Sequence, residues 1–146
     1  MKLNWQWSDG GRQVYFKGDA GDCVCRAIAN ATGRDYMEVY RDLSTYIKTK
    51  KKGRSCRDGV DGPTARKYIT TVLGWHWYPT MHIGSGCTTH LRKGDLPSNT
   101  MIVSLSGHYT CVKDGVILDT YDPSRDGTRC VYGFYAEAPT EEELHY

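Results

Sequence analysis

Nothing in the 146 residues is long and apolar enough to cross a bilayer, because no 18-residue apolar run occurs. Charge of one sign is also missing. The formal net charge is only +2, which gives no bulk electrostatic footprint for a nucleic acid. The opening Met1-Lys2-Leu3-Asn4-Trp5-Gln6-Trp7 lacks the apolar centre of an export signal. Phenylalanine is scarce, with 2 against 11 tyrosines and 4 tryptophans, so many aromatics should be half-buried and hydrogen-bonded. No internal repeat and no interdomain linker are visible, and one domain is expected over 1–146, with 137–146 a frayed tail. Cysteine is present six times, at 23, 25, 56, 87, 111 and 130. Three disulfides would suit a secreted chain, but without an export signal the expectation is reduced thiols in a cytoplasm. Asn30-Ala31-Thr32 is a glycosylation sequon by letter only, since it falls inside an expected helix.

The 16 glycines imply many turns. Residues 12–17 read as a short strand or extended lead-in. A first helix is expected from Cys23 to Thr32, with Asp22 as N-cap and Gly33 as the stop. Val24, Ala27, Ile28 and Ala31 form its apolar stripe, and Cys23 and Cys25 lie off that stripe on opposite sides. A second helix carries Tyr36, Val39, Tyr40, Leu43, Tyr46 and Ile47, with Asp35 and Glu38 as a capping box. It ends in the basic run 48–54, which reads as a solvated loop. A third helix opens at Pro63, buries Ala65, Ile69, Val72 and Leu73, and stops at Gly74. After Gly74 the apolar period shortens to two. Strands are expected at Trp75–Tyr78, Met101–Leu105, His108–Val112, Val116–Tyr121 and Cys130–Tyr135, with Asp114-Gly115 as a hairpin turn. Helices first and strands afterwards is an α+β order.

A cysteine at the opening turn of a helix and a histidine at the start of a strand are the parts of a thiol-dependent acyl-transfer site. The helix N-terminus and an imidazolium both favour negative sulfur. The acid that would orient His108 depends on the turn. A two-residue Asp114-Gly115 turn pairs 108 with 121 and puts Asp119 on the face of His108, whereas a three-residue loop puts Asp122 there. His82, Cys87 and His90 contain a Cys-x-x-His spacing, but Cys23-x-Cys25 is a poor second pair for zinc. Neither a metal nor a cofactor is expected. Cys111 and Cys130 read as strand-core residues.

The order Asp22-Cys23, Gly107-His108, Asp122-Pro123 resembles the papain-like cysteine peptidases. Within them it is most similar to the double-glycine leader peptidases of bacteriocin exporters and to small phage-encoded papain-like proteins. The resemblance spans about residues 12–135, though its motifs fill two short windows. It implies a minimal papain-like domain, with N-terminal helices on a twisted antiparallel sheet. Cys23 would be the nucleophile, His108 the general base and Asp122 the orienting acid, with Asp119 second in line. Such enzymes carry a glutamine shortly before the cysteine as an oxyanion donor. The corresponding position 17 is lysine, and Gln13 is the nearest upstream amide.

The expected function is therefore a thiol-dependent hydrolase, a peptidase or amidase acting on a peptide or isopeptide bond. The setting implied is a host cytoplasm if the chain is phage-encoded. The expected partner is a protein or peptide substrate, not nucleic acid and not a membrane. The alternative is an inactive papain-like scaffold that binds and blocks a protein, which the lysine at position 17 favours. Loops 53–62 and 80–98 would form the cleft walls.

Overall fold

Among the described residues, three helices lie between the first strand of the sheet and the other five. The structure, a computed structural model, describes residues 2–17, 21–48, 59–82, 84–97 and 99–137. Most of the basic run, the Cys56 thiol, part of the 53–62 loop and nearly all of the expected 137–146 tail lie outside these residues.

Helix α1 spans Cys23–Thr32. Gly33 ends it at φ 72, a left-handed conformation open to glycine, and returns its N–H to the Ala29 carbonyl. Helix α2 spans Tyr36–Lys48, and Asp35 caps it by accepting the Met37 N–H at 3.2 Å. Helix α3 spans Gly62–Lys67, where Asp61 accepts from the Thr64 N–H at 3.2 Å and Pro63 occupies the first turn. It runs on into a π turn over Tyr68–Val72. The wider π turn rotates the stripe. Tyr68 is fully buried, whereas Val72, expected in the core, is 49% exposed.

Six strands form one mixed sheet in the order β1-β5-β4-β3-β6-β2. Their spans are β1 Asn4–Trp7, β2 Trp75–Pro79, β3 Met101–Leu105, β4 His108–Lys113, β5 Val116–Asp119 and β6 Gly133–Glu137. Four of the five pairings are antiparallel, but β1 runs parallel to β5 along one edge, so the wholly antiparallel expectation is corrected. The segment Asn4–Trp7 was not expected as a strand, although Trp5 and Trp7 alternate with Asn4 and Gln6, and all four residues are exposed. Residues 12–14 form a 3-10 turn rather than a strand. Asp9 accepts the N–H groups of Gly11 and Gln13 at 2.9 and 2.8 Å and curls the chain. The last strand begins at Gly133, and Cys130 makes only an isolated bridge to His90.

The sheet has an apolar cluster on each face. Ile102, Cys111 and Tyr135 pack beneath Val24, Ile28, Val39, Leu43 and Ile69 of the helices. Met101, Val103, Val112, Ile117 and Phe134 pack with Leu3, Leu91 and Val131 on the other face. Helix α1 is thus pressed between α2 and the sheet. That widens its buried arc beyond one stripe, and Cys25, expected off the core, is fully buried with its thiol toward the Tyr36 carbonyl. No helix among the described residues is long and apolar enough to cross a membrane. Cys87 and Cys130 form a disulfide that closes a 43-residue separation, against the expectation of reduced thiols throughout. A disulfide persists most readily in a non-reducing setting, so the cytoplasmic expectation loses its thiol argument.

Candidate functional site

The site forms where the first residue of α1 meets the first residue of β4. Asp22 sits at the N-cap position but does not cap. Its backbone (φ −108, ψ 32) turns the carboxyl inward, and it is wholly buried against Arg26, the Tyr36 hydroxyl and Arg12, the last at 3.7 Å. These contacts pin the start of α1, and the Cys23 side chain follows, half-buried, at its opening turn. Arg26 lies one helical turn on and contributes positive charge near the sulfur.

Strands β3 and β4 are joined through Ser106-Gly107, with Leu105 paired to His108 and Gly107 at φ 66. This tight turn delivers His108 to the strand's first position. Asp114 (φ 51) and Gly115 (φ 79) make the next turn with two residues between Lys113 and Val116. That conformation, with positive φ at both central positions, matches the twist of a hairpin and suits Asp-Gly. Two-residue closure fixes the register, so Asp119 falls diagonally across from His108. The His108 Nε2 lies 2.7 Å from Asp119 Oδ2. The same oxygen accepts the Thr110 hydroxyl at 2.6 Å, and Oδ1 accepts the Thr120 N–H at 2.7 Å. His108 is 8% exposed and Asp119 4%. Tyr121 lays its ring against the imidazole, 5.2 Å between centroids.

With Nε2 committed to Asp119, Nδ1 is the nitrogen left for the thiol. The Cys23 sulfur lies within reach of His108 and of the Tyr109 backbone N–H, and both favour its charged form. Burial pushes the Cys23 thiol up, but the His108 hydrogen bond, the Tyr109 N–H and the charges of His108 and Arg26 outweigh it, and the thiol is held below its ordinary value. Burial likewise pulls His108 down, but its bonds to Asp119 and Cys23 and their negative charge push it up to about 9. The contact therefore shifts both groups toward a thiolate beside an imidazolium. Cys111 behaves in the opposite way, because burial without such partners pushes it up to about 12.

Of the residues singled out in the sequence, Cys23, His108 and Asp119 are brought together. Asp122 is not at the imidazole. Its side chain accepts the Ser124 N–H at 3.0 Å in a local turn, because β5 ends at Asp119 and the chain bends away before residue 122. Gln13 stands exposed on the 3-10 turn, and its hydrogen bond to Asp9 runs through its backbone N–H. Cys87 is joined to Cys130, so its sulfur is not free to join His82 and His90 on a metal. Thr110, Tyr121 and Arg26 escaped the sequence reading. Thr110 left a signal, since it alternates with His108 and so shares its face, and Tyr121 left another, since a two-residue turn pairs position 121 with 108. The chain matches no protein-family model, no curated protein and no solved structure.

Proposed function

We propose that the protein is a thiol-dependent acyl-transfer hydrolase of papain-like type, acting on a peptide, isopeptide or related amide bond. One observation carries the reading: a helix-N-terminal thiol held below its ordinary pKa beside a histidine whose other nitrogen is held by a buried acid. Thiol, base and orienter in sequence are the parts an activated nucleophile needs.

In this mechanism the Cys23 thiolate attacks the carbonyl carbon, forming a C–S bond and a tetrahedral oxyanion. The opening N–H groups of α1 supply the donors for that oxygen. The His108 imidazolium then protonates the amine nitrogen, the C–N bond breaks, and an acyl thioester remains on Cys23. Neutral His108 next takes a proton from water, whose oxygen attacks the thioester. The C–S bond breaks, the acid departs, and the thiolate–imidazolium pair is restored. Asp119 acts as a positioning residue throughout, holding Nε2 so that Nδ1 faces the sulfur.

The inactive-scaffold alternative draws on Lys17 and on the exposure of Gln13. Incubation with p-nitrophenyl acetate separates the two. The hydrolase reading predicts an acetyl thioester on Cys23 by mass spectrometry, released on continued incubation, and absent in Cys23→Ala and His108→Ala. A wild type that gains no acetyl group at Cys23 contradicts it and leaves the protein-binding scaffold.

A further inference from the structure

A groove of about 570 Å³, which the reaction scheme leaves unused, shares Tyr109 with the surroundings of the thiol. Its walls come from α3 on one side and from β2, β4 and β6 on the other. The chain entering α3 passes close to the start of α1, since a side chain at Gly59 would meet the Gly21 carbonyl at 3.5 Å. At its near end stands Tyr109, the residue whose backbone N–H reaches the Cys23 sulfur. From there the aromatic rings continue outward. Tyr109 stacks on Tyr135 at 6.1 Å, and Tyr135 meets Trp77 at 4.7 Å. At the far end the Arg66 guanidinium lies 5.3 Å from the centre of the Trp77 ring, with Lys67 beside it on α3.

Gly133 makes this arrangement possible. A Cβ there would collide with the Trp77 indole and come within 2.9 Å of the Tyr78 carbonyl. The indole can therefore lie down on the sheet only because residue 133 has no side chain. The result is an aromatic track in which the part-exposed rings of Tyr109 and Trp77 are seated on the buried Tyr135, with a cation pair at the Trp77 end and the thiol's neighbour Tyr109 at the other. Among the described residues, neither Arg66 nor Lys67 is ion-paired and no carboxylate lines the groove. The chemistry missing from such a groove is negative charge attached to an apolar or aromatic body.

We propose that this groove binds an acidic peptide segment, its carboxylates on Arg66 and Lys67 and its apolar side chains on Trp77 and Tyr109, and so presents the neighbouring carbonyl to Cys23. The proposal rests on Cys23 being the acylating thiol. A nucleic-acid strand fits less well. Among the described residues, two cations at one end of the track do not follow a backbone that carries a charge on every nucleotide.

The test uses the unreactive Cys23→Ala protein and two fluorescein-labelled peptides, alternating Glu-Tyr and alternating Lys-Tyr, read by anisotropy. Glu-Tyr is expected to bind at least about 10-fold more tightly, a difference of about 1.4 kcal/mol. Arg66→Glu with Lys67→Glu should reverse that order, Arg66→Gln with Lys67→Gln should abolish it, and the control Lys93→Glu should keep it. Equal binding of the two peptides, or tighter binding of a labelled oligothymidylate than of Glu-Tyr, overturns the proposal. In the wild type, iodoacetyl-capped Glu-Tyr should label Cys23 faster than iodoacetyl-capped Lys-Tyr. If plain iodoacetamide labels Cys23 quickly and in a His108-dependent way while the two capped peptides label equally, the groove proposal falls and the hydrolase reading stands. If Glu-Tyr binds with the expected order but Cys23 shows no dependence on His108, the groove stands as an acidic-peptide site and the hydrolase reading falls.

Discussion

At Asp119, three donors converge on one buried side chain: His108 Nε2, the Thr110 hydroxyl and the Thr120 N–H. Removing its charge leaves an imidazole without the partner that raises it. Asp119→Asn should therefore lower the pH at which His108 loses its proton and slow Cys23 alkylation at neutral pH by an order of magnitude or more. Asp122→Asn should leave both unchanged, since that residue accepts the Ser124 N–H in a local turn and does not meet the imidazole. Alkylation rates and the His108 ring-proton titration by NMR check both. His108 also links stability to pH. Its folded value, about 9, lies above the ordinary value of about 6.5, so its contribution is complete below the ordinary value and is lost as pH rises through about 9. Cys23 works in the opposite sense, being lowered, so the comparison belongs in a Cys23→Ala background. There, His108→Gln should cost more stability near about pH 6 than near about pH 10, as read from urea midpoints. Cys23 and His108 were legible in the sequence because each is marked by its own neighbours, a helix start and a Gly-His strand start. The acid was not, because Asp119 and Asp122 exchange roles when one turn changes by a single residue.

The helices show which elements a sequence pattern can place. The α1 bounds follow from the apolar stripe and from Gly33, both local signals. The π turn does not. Its extra residue per turn moves Tyr68 inward and Val72 outward, and no residue in Tyr68–Val72 announces it. Tyr68 also hydrogen-bonds to Asp42 on α2, tying the end of α3 to the helical layer. Truncating it leaves a large void and strands that partner. Tyr68→Ala should thus cost about 3–5 kcal/mol, whereas Val72→Ala should fall within about 0.5 kcal/mol of wild type. Chemical denaturation checks the pair, and a large loss at Val72 would restore the uninterrupted helix. Strand β1 was hidden for a different reason. Its parallel pairing with β5, from Asn4↔Val116 to Trp7↔Asp119, joins the two ends of a long separation, and all four of its residues are exposed. Yet it bears on the site, because the Trp5 indole N–H and the Ser8 N–H both donate to the Asp119 carbonyl, at 3.1 and 2.9 Å.

Across the whole molecule, the helical layer supplies the thiol and the sheet supplies the base and its orienter, so the site exists only once the two layers have packed. The α+β order was readable from the change in apolar period at Gly74. The mixed sheet and the Cys87–Cys130 bond were not, since each joins segments with no shared local pattern. The central claim is that this packing creates a thiolate–imidazolium pair at Cys23 and His108. It is tested most directly by the pH dependence of iodoacetamide alkylation at each cysteine, resolved by mass spectrometry, in wild type and His108→Ala. The account predicts that Cys23 reacts faster near neutral pH than a free thiol, with a midpoint below the free-thiol value of about 8.5, that Cys111 stays inert in the folded protein, and that the Cys23 midpoint rises without His108. A Cys23 that titrates like a free thiol, or whose profile is the same with and without His108, would contradict it.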